Sequence, residues 1–378
     1  MSDEPAPESG PPVSADELCA RVHVVSLPMR VRFRGVTRRE LALVPGPAGW
    51  GEFGPFPEYG DDEAVWWLRS AVETAWQGPP APLRRRVAVN ATVPAVPAGE
   101  VAGVLERFPG CTTVKVKVAE RGQELDDDVA RVAAVLQARP GARVRVDANG
   151  SWSVPEALHA VRVLDQAVRA MEVASGGATG PRAVDGPGLE YVEQPCASVD
   201  ELVELRARLA ADGVRVDVAA DESVRRAGDP LRVVRLGGAD RAVVKAAPLG
   251  GPRRLLRVAE AIGVPVTVSS ALDSAVGMAA GVAAAAALPV PPGVGEPPAA
   301  GLGTGGFFLE DVVSPGAGFD PVDGALEVRA VTPEPDRLAA LAVDGPARDR
   351  WIDRIRRCHA LWVAGSAQVG GGRPDPTG

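Results

Sequence analysis

From Arg86 to Thr304 the chain alternates eight times between a short run rich in β-branched residues and a stretch with apolar residues at helical spacing. Parallel neighbouring strands need a crossover connection, usually a helix, and eight such units is the number that closes a β/α barrel. The sequence therefore predicts an α/β fold with a closed parallel barrel, with a doubly wound open sheet as the alternative. The predicted strands cover residues 87–93, 112–118, 142–149, 189–195, 214–223, 239–248, 264–270 and 299–304.

The residues on either side of this alternation predict smaller units. Residues 18–85 contain short strand patterns followed by a helical pattern through 62–76, which is typical of a small α+β domain ahead of a barrel at 86–305. Residues 1–17 and 365–378 have too few large apolar groups to offset the entropy of ordering, so we expect disordered tails there. The Gly- and Pro-rich stretch at 175–188 is predicted to be a surface loop.

Composition limits the kinds of binding partner that the chain can have and the cellular compartment that suits it. The chain carries 41 basic and 49 acidic residues, so no excess of cations is available to neutralise a nucleic-acid backbone. Its four cysteines are scattered without paired spacing, which favours reduced thiols and a cytoplasmic protein. The longest apolar run, residues 279–289, is far shorter than the roughly 20 residues that cross a bilayer. We therefore expect a small-molecule ligand, and neither nucleic acid nor a membrane as partner.

Three consecutive predicted strands end on a carboxylate. The alternation of each strand places Asp147, Glu193 and Asp221 on the inward face, at the C-terminal end where barrels carry their function. One such acid is usually a helix cap or turn residue, but three equivalent ones are hard to explain that way. Converging carboxylates repel each other without a cation, and oxygen-only ligands favour a hard ion. The sequence therefore predicts a Mg²⁺ site.

Lysines face the same interior. In the run TVKVKV the valines take the helix side, which turns Lys115 and Lys117 inward, and Lys245 points inward from the sixth strand. A K-x-K pair alone is typical of a solvated edge strand. Here the K-x-K pair lies beside a predicted metal site, with the amine of Lys245 opposite. This arrangement favours removal of a proton from a carbon next to a carboxylate, because a divalent ion stabilises the enediolate that forms. Arg145 also faces inward, from the strand that carries Asp147.

These motifs resemble the enolase superfamily, which uses a lysine base and a Mg²⁺-stabilised enediolate. The resemblance rests on K-V-K at 115–117, D-A-N at 147–149, E-Q-P at 193–195, D-E-S at 221–223 and V-V-K-A-A-P-L-G-G at 243–251. It implies a (β/α)7β-type barrel with an α+β capping domain, in which the segment 306–364 joins residues 18–85. The combination of the K-x-K motif at 115–117 with Lys245 is similar to that of the muconate lactonizing subgroup.

The resemblance also implies roles for individual residues. It implies Lys117 as the base, Lys115 as its electrostatic neighbour, and Lys245 as a protonated group on the opposite face of the substrate. The implied metal ligands are Asp147, Glu193 and Asp221; the implied substrate-binding residues are Ser269, Ser270, Arg145 and Gly301; the implied polar neighbours are Asn149 and Glu222. For the two serines, a plain strand-end role is an equal alternative.

The implied activity is that of a lyase. The segments VTVSSALDSAVGMAAG and FRGVTRRE look most like the dehydratases that act in actinobacterial menaquinone biosynthesis on a succinyl-bearing cyclohexadiene carboxylate. The alternatives are racemases or epimerases of N-acylamino acids and dipeptides, and a non-catalytic barrel. The run RFRGVTRRE, residues 32–40, contains Arg32, Arg34, Arg38 and Arg39. For most of them a solvated basic hairpin is the expectation, and one of them is a candidate to meet an anionic substrate. We expect a cytoplasmic monomer or small homo-oligomer.

Overall fold

The structure is a computed structural model that describes residues 10–33, 35–174, 188–226, 228–290 and 297–370. Its strands are β1 His23–Phe33, β2 Val36–Gly46, β3 Gly49–Phe53, β4 Arg86–Ala88, β5 Ala91–Val93, β6 Thr113–Lys117, β7 Arg143–Asp147, β8 Tyr191–Glu193, β9 Asp217–Ala220, β10 Arg241–Val244, β11 Val266–Val268 and β12 Ala325–Glu327. Its α-helices are α1 Ala15–Arg21, α2 Asp61–Gln77, α3 Val101–Leu105, α4 Leu125–Ala138, α5 Val154–Ala174, α6 Val199–Ala211, α7 Glu222–Arg225, α8 Arg232–Arg235, α9 Ala246–Leu249, α10 Pro252–Ile262, α11 Ala275–Ala287, α12 Pro335–Ala340 and α13 Gly345–Gly370.

The central sheet contains seven parallel strands in the order β5 to β11. Its two ends are linked through the predicted eighth strand, which is reduced to parallel bridges between Ala300 and Val89 and between Gly301 and Ser269. A side chain at position 301 would displace Ser269, because a Cβ there would lie 2.5 Å from its hydroxyl oxygen and 3.1 Å from its Cβ. The predicted barrel is therefore confirmed, and the open doubly wound sheet is wrong.

Strand periodicity sets the two faces of this sheet. Val114 and Val116 of β6, and Val144 and Val146 of β7, are completely buried against the helical layer. The register pairs Lys117 with Asp147 and Asp147 with Glu193, which brings the last residues of β6, β7 and β8 to one level. This level forms the C-terminal rim of the barrel.

The N-terminal strands β1, β2 and β3 form an antiparallel sheet on which α2 packs. Helix α13 lies against α1 and α2, and bridges join Val25 to Ala342 and Met29 to Phe308. The C-terminal segment thus contacts the N-terminal domain. Its strand β12, however, pairs with β4 at the start of the barrel.

The predicted tails differ from the structure at their inner ends. Helix α1 begins at Ala15, where the side chain of Ser14 accepts a hydrogen bond from the amide of Glu17, so the predicted disorder to residue 17 is too long. Helix α13 continues to Gly370, past the predicted boundary at 365. Residues 1–9 and 371–378, and all of the predicted loop 175–188 except Gly188, lie outside the described residues. Within the described ranges, no helix has the length and apolarity needed to span a membrane.

Candidate active site

Lys115 links two of the predicted acids at the rim. Its Nζ donates to Asp147 Oδ2 and to Glu193 Oε1, both at 2.8 Å, and all three side chains are at least nine-tenths buried. Burial alone would lower the pKa of Lys115, but the carboxylates of Asp147 and Glu193 outweigh it and raise this pKa well above its usual range. Lys115 is therefore a permanent cation that holds two acids together.

Lys117 lies one step higher on the same strand. Its Nζ donates to Asp147 Oδ2 at 2.6 Å and to Asn149 Oδ1 at 2.5 Å. Burial raises the pKa of Asp147, but the two lysines beside it prevail and hold that pKa well below its usual range. Asn149 in turn donates to Glu222 Oε1 at 3.2 Å, so the two predicted polar neighbours contact each other and connect to Lys117.

Lys245 comes from the far side of the sheet, directly after β10. Its Nζ donates to Asp221 Oδ2 at 2.7 Å, and the other oxygen of Asp221 accepts from Arg225 Nε at 2.9 Å. The backbone amide of Asp221 is fixed by Gln194, whose Oε1 accepts it at 3.0 Å. Arg225 is a buried cation that the sequence analysis missed, although its place four residues after Asp221, in a helical stretch, is a usable signal.

One carboxylate oxygen of Glu193 is relevant to the binding of a metal ion. Its Oε2 is buried and has no hydrogen-bond partner among the described residues. Burial, together with the neighbouring charge of Asp147, raises the pKa of Glu193 to about 7. An orphaned buried carboxylate oxygen costs free energy unless a cation or donor meets it.

The donor set fits a hard divalent cation. Asp147, Glu193 and Asp221 offer only carboxylate oxygens, and Glu193 Oε2 is aimed at no protein donor. Among the described residues no three acids lie close enough to form a ready-made ligand cluster, because lysines occupy the space between their oxygens. The metal-ligand roles of the three acids stay a prediction.

The remaining wall of the cavity is uncharged. Ser269, Ser270 and Gly301 line it, together with Thr92, Ala271, Leu272 and Thr304. The three lysines, Asp147 and Asn149 line the rest of the same cavity. The hydroxyls of Ser270 and Thr304 lie 2.6 Å apart, and Ser269 Oγ donates to the carbonyl of Gly301 at 3.1 Å. Thr92 was missed, although it takes the inward position in the first predicted strand.

Arg145 does not reach this cavity. It lies two residues before Asp147, one layer lower in the barrel, and pairs with Lys115 in the sheet register. Its guanidinium donates to Glu190 Oε2 at 2.7 Å, to the carbonyl of Ala299 at 2.7 Å and to Asn90 Oδ1 at 3.1 Å. The prediction that Arg145 binds substrate does not fit this position, because all three guanidinium nitrogens donate hydrogen bonds within the barrel core.

The lysines also stand out by their number. The chain has 41 Lys and Arg residues, and Lys115, Lys117 and Lys245 are its only lysines. Arginine serves all other cationic positions. Of these two residue types, only lysine can lose its proton in a protein and act as a base. This gives a physical reason for the use of lysine at this one place.

The backbone is strained around the same rim. Among the described residues, five that are not glycine have positive φ, and four of these lie one to four residues after the end of a barrel strand: Ala119, Asn149, Gln194 and Leu272. Such conformations cost free energy and persist where surrounding contacts hold them. Their clustering at the C-terminal edge marks this edge as the functional one.

Comparisons with known proteins agree with this geometry. Residues 24–75 match the family described as Enolase N-terminal domain-like, and residues 100–173 and 179–330 match the family described as Enolase C-terminal domain-like. Among solved structures, muconate lactonizing enzyme from Pseudomonas putida aligns with a TM-score of 0.63 at 19% identity, covering 85% of this chain and 99% of that one. Muconate lactonizing enzyme from Pseudomonas fluorescens, complexed with muconolactone, aligns with a TM-score of 0.64 at 21% identity, over 85% and 98% of the two chains. The chain therefore belongs to the enolase superfamily, whose members depend on a divalent metal ion.

Closer relatives narrow this class. The chain is 56% identical over 346 residues to the o-succinylbenzoate synthase of Mycolicibacterium smegmatis, covering 92% of this chain and 97% of the relative. It is 55% identical over 353 residues to the o-succinylbenzoate synthase of Mycobacterium tuberculosis, covering 93% and 97%. Within the superfamily, the chain belongs to the o-succinylbenzoate synthase family.

Proposed function

We propose that the chain catalyses the Mg²⁺-dependent dehydration of 2-succinyl-6-hydroxy-2,4-cyclohexadiene-1-carboxylate to 2-succinylbenzoate and water, a lyase reaction of menaquinone biosynthesis. The names of relatives above 50% identity over nearly the whole chain support this reaction over racemisation. The observation that carries the proposal is that the chain's three lysines surround one cavity, with Lys117 and Lys245 reaching it from strands four places apart in the sheet.

Lys117 would act as base and then as acid. In its neutral form its Nζ takes the proton from the carbon next to the substrate carboxylate, and the electron pair of that C–H bond moves into the carboxylate as an enediolate. The same ammonium then returns its proton to the hydroxyl on the neighbouring carbon. The C–O bond breaks, water leaves from the face on which the proton was removed, and the ring becomes aromatic.

Lys245 would stay protonated on the other face. Asp221 holds its ammonium at 2.7 Å, and Arg225 in turn holds Asp221, so the cation has a fixed position. A positive charge opposite the base stabilises the enediolate as it forms, without taking part in proton transfer. Lys115, bound by two carboxylates, supplies a third fixed cation beneath the substrate.

Asp147, Glu193 and Asp221 would hold the Mg²⁺. When bound, the ion neutralises charge that develops on the substrate carboxylate. Ser269, Ser270 and Gly301 would contact the ring or the succinyl carboxylate, while Asn149 and Glu222 would orient the base. The four buried, unpaired cysteines and the acidic net charge support a cytoplasmic enzyme, monomeric or a small homo-oligomer, acting on a free small molecule.

The test is an ultraviolet assay of ring aromatisation with the purified protein, with and without EDTA. We expect turnover that EDTA abolishes and Mg²⁺ restores, and Lys117→Ala should lower kcat at least about 1,000-fold. Arg162→Ala, at a partly exposed residue of α5 that pairs with Asp212, is the matched control and should leave turnover unchanged. A parallel assay follows racemisation of N-succinylamino acids in D₂O. Efficient racemisation without dehydration would overturn the proposal, as would normal dehydration by Lys117→Ala.

A further inference from the structure

The uncharged wall of the cavity carries backbone strain of its own. Leu272 lines the cavity, is almost fully buried and has φ of 63°, a left-handed conformation for a residue with a branched side chain. Its neighbours Ser269, Ser270 and Ala271 line the same wall. A strained segment of this kind keeps its shape only when contacts from outside over-determine it.

Those contacts come from the N-terminal domain. Arg39 of β2, only 3% exposed, donates through Nε to the carbonyl of Leu272 at 3.1 Å and also binds the carbonyl of Gly54. Its guanidinium lies 4.0 Å from the centre of the Phe56 ring. The expectation of a solvated basic hairpin is therefore wrong for Arg39, which is buried against the barrel rim.

Glu52 of β3 holds the residues that follow. Its Oε2 accepts from the backbone amide of Ser274 at 3.1 Å, from the Ser274 hydroxyl at 2.5 Å and from the amide of Gly277 at 3.2 Å. These donors belong to the first turn of α11 and to its cap, where amides have no partner within the helix. A carboxyl group from one domain thus fixes the end of the wall that begins at Ser269.

The fit around Glu52 is tight. A Cβ on Gly277 would lie 2.7 Å from Glu52 Cδ and 2.8 Å from the Cβ of Asp273, so only glycine admits the carboxyl group at this point. Glu52 Oε1 and Asp273 Oδ1 are both buried without a hydrogen-bond partner in the described residues. Asp273 uses its other oxygen to accept the amide of Ala271 at 2.9 Å, which ties the cluster directly to the cavity wall.

We propose that Glu52 is a positioning residue for substrate binding: through Ser274 and Gly277, and together with Arg39, it holds residues 269–272 in the strained shape that contacts the substrate. This inference rests on the proposed function for the identity of the ligand. Glu52 touches no reacting atom. Its loss therefore weakens binding of substrate and product, while the charged groups of β6 to β10 keep their places and the chemical step is retained.

Three variants and one control test this. We expect Glu52→Ala and Gly277→Ala to raise KM and the dissociation constant of the product 2-succinylbenzoate by about 10-fold or more, with kcat within about 3-fold of the wild type. Glu52→Gln keeps an acceptor for the three donors and adds an amide donor that can meet Asp273. It should stay within about 3-fold of the wild-type KM.

The control is Asp165→Ala. Asp165 is a buried carboxylate that accepts a backbone amide, that of Leu189 at 2.9 Å, but at the opposite end of the barrel strands. It should lower the midpoint of thermal unfolding and leave KM unchanged. Hydrogen exchange gives a readout independent of turnover: residues 269–277 should exchange faster in Glu52→Ala, and not in Asp165→Ala.

The outcomes separate the two proposals. A wild type that does not dehydrate the substrate refutes the proposed function, and the positioning role is then judged on product binding and exchange. A dehydrating wild type with an unchanged KM and product affinity in folded Glu52→Ala refutes the positioning role. If Glu52→Ala does not fold, Gly277→Ala decides, and an unchanged KM and product affinity in that variant refutes it equally.

Discussion

The two walls of the cavity are built in different ways. The charged wall, from β6 to β10, carries its acids and lysines on the barrel strands or on the residue directly after a strand, and ion pairs between neighbouring strands fix these side chains. The uncharged wall, residues 269–272, carries no cation or acid and is held by Arg39 and Glu52, more than 200 residues away in the chain. The chemistry is thus built by one domain, whereas the shape that receives the substrate depends on two.

The largest expected effect concerns the charged wall and separates its two facing lysines. Lys117→Arg keeps the positive charge but removes a group that can lose its proton, so kcat should fall at least about 1,000-fold. Lys245→Arg keeps a cation where only a cation is needed and should cost about 100-fold or less. Single-turnover dehydration rates at saturating substrate measure both. Equal losses in the two variants would contradict a division between base and fixed cation.

The two walls also differed in how far sequence could predict them. Alternation along a strand places Lys117, Asp147 and Glu193 inward at the same level, because side chains of a strand alternate and parallel neighbours share a register. Alternation also turns Arg145 inward, and the resemblance implies a substrate contact for it, but an inward face does not decide which groups a side chain meets. The guanidinium of Arg145 instead pairs with Glu190 in the barrel core.

The uncharged wall could not be predicted in this way. The strained backbone of Leu272 and the burial of Arg39 arise from contacts between segments that no local pattern connects. Arg39 lies in a run that, on its own, resembles a solvated hairpin, and Glu52 follows a glycine-rich turn with no periodic signal. Tertiary contacts decide such positions, and local sequence preference does not.

The second prediction concerns Mg²⁺ at the charged wall. Metal at 100 times its dissociation constant should stabilise the wild type by about 2.7 kcal/mol. Glu193→Gln replaces the orphaned carboxylate oxygen and should lose most of this stabilisation. Glu156→Gln, an exposed acid of α5, is the matched control and should behave as the wild type. Thermal unfolding with increasing Mg²⁺ measures the effect without any activity assay, and an equal shift in Glu193→Gln would remove Glu193 from the ligand set.

The third prediction returns to the uncharged wall and concerns pH. Burial, with the charge of Asp273 added, raises the pKa of Glu52 to about 8. A carboxyl group whose pKa is higher in the folded chain keeps a proton that the unfolded chain has lost. Its contribution to stability is therefore complete below about pH 4.5 and is lost as the pH rises towards 8.

Glu52→Gln cannot titrate and should flatten this dependence. The comparison begins at pH 6, because burial raises the pKa of the nearby Asp311 to about 6. Between pH 6 and pH 8, the free energy of unfolding should fall less steeply in Glu52→Gln than in the wild type. The difference is at most about 1.4 kcal/mol per pH unit. Urea unfolding at several pH values measures it, and parallel curves for the two proteins would show that Glu52 is ionised throughout this range.

The smallest expected effect separates the two roles open to Ser270. Its hydroxyl lies 2.6 Å from that of Thr304, across the seam that closes the barrel, so Ser270→Ala should cost about 0.5–1.5 kcal/mol of stability. A serine that serves only as a strand end would show this loss with an unchanged KM. If it also contacts the substrate, KM rises several-fold while kcat is kept, as for Glu52→Ala. Thr304→Val breaks the same hydroxyl pair from the other side. An equal rise in KM for both variants would assign the substrate contact to the pair. A rise for Ser270→Ala alone would assign this contact to the serine.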